Sequence, residues 1–168
     1  NAWLIFMLPY SVIVLSIGTP YFTQISAHAA AGRDDEVRAD IAQSIRTLLF
    51  FIVAAVAAVA AAAIPASRVF TNAASDAVEA ALVLVCFLVC LVPLTILFIV
   101  QRTFYAYGDT RTPFWFTLFQ CVLVVISAFV AQWLLTADVI AITSLAATIA
   151  LGQSIASTIQ TVVAVWLL

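Results

Sequence analysis

Apolar runs long enough to cross a lipid bilayer alternate with short polar segments along this 168-residue chain. A helix rises ~1.5 Å per residue, so about 20 apolar residues cross a hydrocarbon core of ~30 Å. Residues 80–101 and 112–137 carry no charge at all. The pattern predicts an all-α fold, a polytopic membrane helix bundle. Its five transmembrane helices lie at about 2–25, 46–64, 78–101, 113–136 and 139–168.

One sizeable polar insert, residues 26–46, separates the first two spans. Its apolar residues recur near the helical period, opposite its charged ones, which predicts an interfacial amphipathic helix at about 33–46 that leads into the second span. Asp34 and Arg38 are four residues apart, which predicts a weak ion pair on the helix surface. His28 is solitary at the membrane edge, and we assign it no role.

Composition and charge agree with a membrane protein and give its orientation. Hydrophobic residues make up 66% of the chain and charged residues 8%, against about 25% charged in a soluble domain. Five of the six arginines lie in loops 26–46 and 102–112, so these loops are predicted to be cytoplasmic. Loop 65–77 and turn 137–138 are then external. Asp76 and Glu79 are expected to cap the start of the third span.

A charged turn, FYAYGDTRTP at residues 104–113, joins the third and fourth spans. We expect Gly108 to take a backbone conformation that β-branched residues resist. Thr112 is expected to cap the next helix, with Pro113 at its first position. The residues of this motif are Phe104, Tyr105, Gly108, Asp109, Thr110, Arg111, Thr112 and Pro113.

The spans carry neutral polar residues but no central ionisable one, which argues against ion coupling by these spans alone. Two adjacent rows of small and polar residues run along the helix of the last span, and they allow two interpretations. They pack helices together, or they line a hydrated cavity for a polar head group. The candidate cavity residues are Thr148, Gln153, Ser157 and Gln160. Helix kinks are predicted at Pro9, Pro20 and Pro93.

No known catalytic arrangement is visible in the sequence. The cysteines, Cys86, Cys90 and Cys121, have no histidine or acid partner at ligand spacing, so they are interpreted as small core residues. We therefore expect no enzymatic activity, no metal, no cofactor and no nucleic-acid partner. Both ends lie inside apolar runs, and we expect the chain to be a piece of a larger, transporter-sized protein.

The turn FYAYGDTRTP at 104–113 strongly resembles the FYALGDTRTP-type loop of the MurJ/MviN lipid II flippases, within the multidrug/oligosaccharidyl-lipid/polysaccharide flippase superfamily. Residues 1–13, NAWLIFMLPYSVI, resemble the actinobacterial branch of that family. The resemblance covers the whole chain. It implies spans eight to twelve of fourteen, forming most of the C-terminal lobe of a two-lobe transporter.

The resemblance also implies a function and partners. The function is alternating-access flipping of lipid II, an undecaprenyl-linked peptidoglycan precursor, across the bacterial cytoplasmic membrane. The implied partners are this precursor, membrane lipid and the missing N-terminal lobe of the same chain. Thr23 and Gln24 depart from the family pattern, and Leu4 stands near the place of a cavity arginine, so no charged substrate ligand is carried over. The alternatives are an exporter of other lipid-linked oligosaccharides or drugs, and a non-transporting scaffold for cell-wall enzymes.

The predicted topology can be tested by cysteine labelling in a background without the three native cysteines. Cysteines at Arg38 and Asp109 should be blocked only by reagents that enter the cytoplasm, because the arginine count places both loops inside. A cysteine at Asn72 should react from outside. Labelling of positions 38 and 72 from the same side would contradict the five-span topology.

Overall fold

The computed structural model describes residues 7–68, 74–137 and 142–168, apart from the side chains of 74–76 and 142–144. In these ranges a π-helical turn, Tyr10–Leu15, is followed by six α-helices and no strand. The helices are α1 (Ser16–Ala30), α2 (Asp34–Ala61), α3 (Ala63–Arg68), α4 (Ala74–Ala106), α5 (Arg111–Thr136) and α6 (Ile142–Leu167). The predicted all-α helix bundle is confirmed.

Four helices of the described residues, α2, α4, α5 and α6, are long and apolar enough to cross a membrane. They correspond to the last four predicted spans. The first predicted span, 2–25, coincides with helical residues 7–30, which comprise the π-helical turn and α1. Residues 2–6 of that span lie outside the described residues, as do the start of the last span and residue 138 of the predicted external turn.

The second span differs from the prediction in its length. The predicted interfacial helix at 33–46 and the span at 46–64 form one continuous helix, α2, of 28 residues. At 1.5 Å per residue it is about 42 Å long, more than the hydrocarbon core requires. It continues because no glycine or proline interrupts residues 34–61. The short helix α3, which contains Pro65, follows it and was not predicted.

Helix α4 is the centre of the bundle. It packs against α6, α2, α3 and α1, whereas α5 packs mainly on α6. The largest apolar cluster joins α4 to α2 and the π-helical turn, through buried residues that include Leu48, Ile52, Leu84, Leu88 and Leu91. Most of α5 faces away from the rest of the chain, and most of its exposed residues are large and apolar, as lipid-facing residues are.

The predicted kink positions lie in or beside the helices. Pro20 and Pro93 are inside α1 and α4, and Pro9 directly precedes the π-helical turn. Each interior proline removes one backbone hydrogen bond from its helix. Gly18, close to Pro20, is buried against the ring of Phe98, so a side chain at position 18 would collide with that ring.

The start of α4 differs from the predicted cap. The helix already includes Ala74, so Asp76 lies within the helix and not before it. The side chain of Asp76 is outside the described residues. Glu79 is exposed in the second turn of the described helix.

Helices α5 and α6 approach closely at Gly152. A Cβ atom added there would lie 2.8 Å from both Cβ and Oγ of Ser127 on α5. This distance is shorter than side chains tolerate, so the close approach of the two helices depends on glycine.

We therefore expect Gly152→Leu to separate α5 from α6 and to lower the amount of folded protein in membranes. Overpacking of this kind costs typically 1–3 kcal/mol. The measurements are the folded yield by size-exclusion chromatography and the thermal midpoint. Ala146→Leu is the matched control, because Ala146 is an exposed small residue of the same helix. Equal yields for the two variants would contradict this role of Gly152.

Candidate functional site

Two hydroxyl hydrogen bonds join the polar face of α6 to α4. Ser154 Oγ donates a hydrogen bond to the Cys86 carbonyl oxygen at 2.7 Å. One turn further along both helices, the Ser157 side chain lies beside Cys90. One turn further again, Thr161 Oγ1 donates to the carbonyl oxygen of Pro93 at 2.9 Å. Helices α4 and α6 therefore run parallel and in register.

The same face of α6 also reaches α5. Gln120 Nε2 donates a hydrogen bond to Ser157 Oγ at 3.2 Å. Ser157 therefore lies where α4, α5 and α6 meet, and its side chain is fully buried. A hydrogen bond of this kind between two helices in a lipid environment stabilises their association by about 0.6–2 kcal/mol.

Gln160 is the exception to this pattern of paired polar groups. It lies one turn after Ser157 and is 0% exposed. Neither its amide nitrogen nor its amide oxygen has a hydrogen-bond partner among the described residues. An unpaired buried polar group costs about 1–3 kcal/mol, so this amide is the least satisfied polar group on α6.

The four predicted cavity residues do not share one location. At about 100° per residue, Gln153, Ser157 and Gln160 fall on one face of α6, and Thr148 lies about 140° away from Gln153. Gln153 is half-buried. Thr148 lies in an apolar groove of about 460 Å³ between α5 and α6. The structure thus brings three of the candidates together; their role in a cavity stays a prediction.

Gly108 stands two residues after the last residue of α4 and has the left-handed backbone conformation, with φ of 74°. Its N–H donates to the carbonyl of Tyr105 at 3.0 Å. The N–H of Asp109 donates to the carbonyl of Phe104 at 2.9 Å. This is the Schellman motif, in which glycine is strongly favoured at the left-handed position. The predicted conformation of Gly108 is confirmed.

The prediction that Thr112 caps the next helix is wrong. Helix α5 begins at Arg111, so Thr112 and Pro113 are its second and third residues. The capping acceptor is the carboxylate of Asp109. Its Oδ1 accepts hydrogen bonds from the backbone N–H groups of Arg111 at 2.9 Å and Thr112 at 3.1 Å. Asp109 already stands in the turn, and its short carboxylate reaches these N–H groups before a threonine inside the helix can.

The electrostatics of the turn favour the ionised form of Asp109. Hydrogen bonds from the side chain and then the backbone of Thr112 hold the pKa of its carboxyl below the ordinary value of 3.8. A lowered pKa means that the ionised carboxylate stabilises the fold above the unfolded-state pKa. This stabilisation disappears as the pH falls through the folded-state pKa.

Tyr107 connects this turn to the start of α2. Its hydroxyl donates to Asp34 Oδ1 at 2.7 Å, and this hydrogen bond is the main reason why the pKa of Tyr107 is raised. The predicted ion pair between Asp34 and Arg38 is wrong, since no ion pair of the described residues involves Arg38. Asp34 points to the phenol instead, because the turn brings Tyr107 within reach.

His28, which has no predicted role, is held by two carboxylates of α2. Its Nδ1 lies 2.6 Å from Asp40 Oδ2, and its Nε2 lies 3.1 Å from Glu36 Oε2. Arg33 also pairs with Glu36, at 2.8 Å. The sequence does contain a signal for these contacts. Glu36 and Asp40 are four residues apart, so they share one face of α2, and the short turn at Gly32 folds that face back along α1. These contacts fix the α1–α2 hairpin.

Arg102 is a second residue that sequence reasoning missed. It was assigned to a loop, but it lies inside α4. Its guanidinium carbon lies 5.1 Å from the ring centroid of Phe22 on α1 and 5.0 Å from that of Phe98. Such cation–π contacts are worth about 0.5–2 kcal/mol. Arg102 therefore helps to hold α1 against α4.

The described residues contain no group of three metal-ligating side chains that could hold a metal ion. Their chemistry consists of neutral hydrogen-bonding groups between apolar helices and a charged, capped end. Together with the four helices long enough to span a bilayer, this defines a multi-pass α-helical membrane protein.

A comparison with protein families identifies which membrane protein family this is. The family model described as lipid II flippase MurJ matches residues 1–168, so the chain belongs to that family. The family is one of transporters. Searches of the curated proteins and of the solved structures found no match to the chain.

The turn at Gly108 provides a direct test of the capping geometry. Gly108→Val should destabilise the protein by roughly 1–2 kcal/mol, because a β-branched residue resists the left-handed conformation. Gly108→Asn is the matched control, since asparagine tolerates that conformation far better. Thermal unfolding of the purified variants measures the difference. Equal thermal midpoints for Val and Asn would show that the backbone conformation is not what matters here.

Proposed function

We propose that this chain forms part of a lipid II flippase of the bacterial cytoplasmic membrane that works by alternating access between two lobes. The match of the family to all 168 residues supports this proposal. The described residues would form most of the C-terminal lobe, and an N-terminal lobe would complete the pathway.

The polar face of α6 is the feature of this lobe best suited to a polar head group. The head group of lipid II carries sugars and a pyrophosphate, so its passage requires many hydrogen-bond partners. Gln153, Ser157 and Gln160 offer two amides and a hydroxyl along one face of the helix. This row is neutral, so the phosphate charge would be met by cations outside it, which we expect in the other lobe.

Gln160 supports a role for this face beyond packing. A leucine of similar volume at a fully buried position would avoid the free energy of an unpaired amide. The amide is instead retained at 0% exposure without a partner. Unsatisfied buried groups of this kind call for a specific explanation. We infer that movement of α6 against its neighbours during transport brings this amide to a hydrogen-bond partner, with the head group as the candidate.

The test separates stability from transport by replacing Gln153 and Gln160 with leucine, singly and together, in the whole protein. Gln160→Leu should leave protein levels unchanged or higher, because it removes an unpaired buried amide. Complementation of a flippase-depleted strain should nevertheless fall, because the head group loses hydrogen-bond partners.

Gln43→Leu is the matched control, since Gln43 is an exposed glutamine of α2. It should complement normally. Full complementation by the Gln153→Leu, Gln160→Leu double variant would show that this face of α6 serves packing alone.

A further inference from the structure

A groove opens at the predicted cytoplasmic end of the bundle, between α2, α4 and α6. Its volume is about 820 Å³, which is within the usual range of small-molecule sites. It is separate from the polar face of α6 described above. Its walls are mainly apolar, and the residues that form them include Val37, Ile41, Val100 and Val165.

Charged and polar groups stand together at the mouth of this groove. Arg38 is exposed and has no ion pair among the described residues. Asp34 accepts one hydrogen bond from Tyr107, and Asp109 accepts backbone hydrogen bonds on one oxygen. Because a carboxylate has about four acceptor sites, both acids can accept further hydrogen bonds. The mouth therefore offers one free guanidinium and two carboxylates.

Apolar walls with one arginine and two carboxylates at the mouth restrict the kind of ligand that fits this groove. The apolar walls suit an acyl chain, and a free guanidinium suits a phosphate. Two carboxylates against one arginine disfavour a head group that is only anionic, but they suit a cation with N–H donors. A trimethylated cation has no such donors. We propose that the groove binds a phospholipid whose head group carries both a phosphate and a primary ammonium group, as phosphatidylethanolamine does.

In this arrangement Arg38 binds the phosphate, and Asp34 and Asp109 bind the ammonium group. The acyl chain runs along the apolar walls between α4 and α6. The bound lipid fills the space between the charged turn and the membrane. This inference does not depend on the flippase proposal, because it uses different residues and a resident membrane lipid.

Lipid titration of the whole protein, purified and stripped of lipid, tests the proposal by native mass spectrometry. The probes are dioleoyl phosphatidylethanolamine, the choline lipid with the same acyl chains, and the corresponding phosphatidylglycerol. The ethanolamine lipid should bind about three- to fivefold more tightly than either of the others, as expected for partly exposed ion pairs. Equal affinities for the ethanolamine and choline lipids would overturn the proposal.

Two variants separate the roles of the head-group contacts. Arg38→Gln should weaken binding of the ethanolamine and choline lipids alike, by about threefold, because both carry the phosphate. Asp109→Asn keeps the acceptor for the backbone N–H groups but removes the charge. It should therefore lower the affinity for the ethanolamine lipid and leave the affinity for the choline lipid unchanged.

Arg46→Gln and Asp35→Asn are the matched controls, since both residues are exposed on α2 and neither lines the groove. They should leave both affinities unchanged. If Arg38→Gln has no more effect than Arg46→Gln, the groove is not the lipid site. Each variant's thermal midpoint establishes that a lost affinity does not come from unfolding.

Discussion

Hydrogen bonds from α6 side chains to the backbone of α4 are the interaction on which the middle of this bundle depends. Lipid offers no hydrogen-bond partner, so a polar group inside the membrane avoids the cost of being unpaired only by pairing within the protein. Ser154 and Thr161 meet this requirement by donating to carbonyl oxygens of α4. The two helices can approach because the residues between them are small: Ala147 and Ala150 of α6 pack with Cys86 of α4. Pairing of α6 with α4 then places α5, which packs mainly on α6.

The ends of the helices follow the opposite rule, because charge is tolerated where water is available. The end that carries Gly32 and Gly108 is tied by polar and capping contacts: His28 between two acids of α2, Asp109 at the start of α5, and Tyr107 on Asp34. These contacts join α1 to α2 and α4 to α5, and they join the turn at Gly108 to the turn at Gly32. One end of the bundle is therefore fixed by polar contacts, while the interior is held by packing and by neutral hydrogen bonds.

Sequence reasoning located the long helices and the Gly108 turn, because span length and the need for a left-handed glycine are local properties. It could not find what depends on folding two segments together. Tyr107 reaches Asp34 across 73 positions of the chain, and Arg102 reaches Phe22 on another helix. The prediction of a Thr112 cap is wrong for a local reason: Asp109, three residues earlier, accepts the hydrogen bonds of the first N–H groups of α5. The buried state of Gln160 required the three-dimensional packing of α6, which its helical period alone does not show.

The contrast between the interior and the end of this bundle also separates its two proposed ligand sites. A head group that moves across the membrane has to leave each partner it meets, and the neutral amides and hydroxyls of α6 hold it less tightly than fixed charges would. A resident lipid needs no such release, and ion pairs at the membrane surface can hold it. Gln153 and Gln160 belong to the first kind of chemistry, and Arg38 and Asp109 to the second. One helix bundle can therefore carry both proposed sites, because they differ in charge and in exposure.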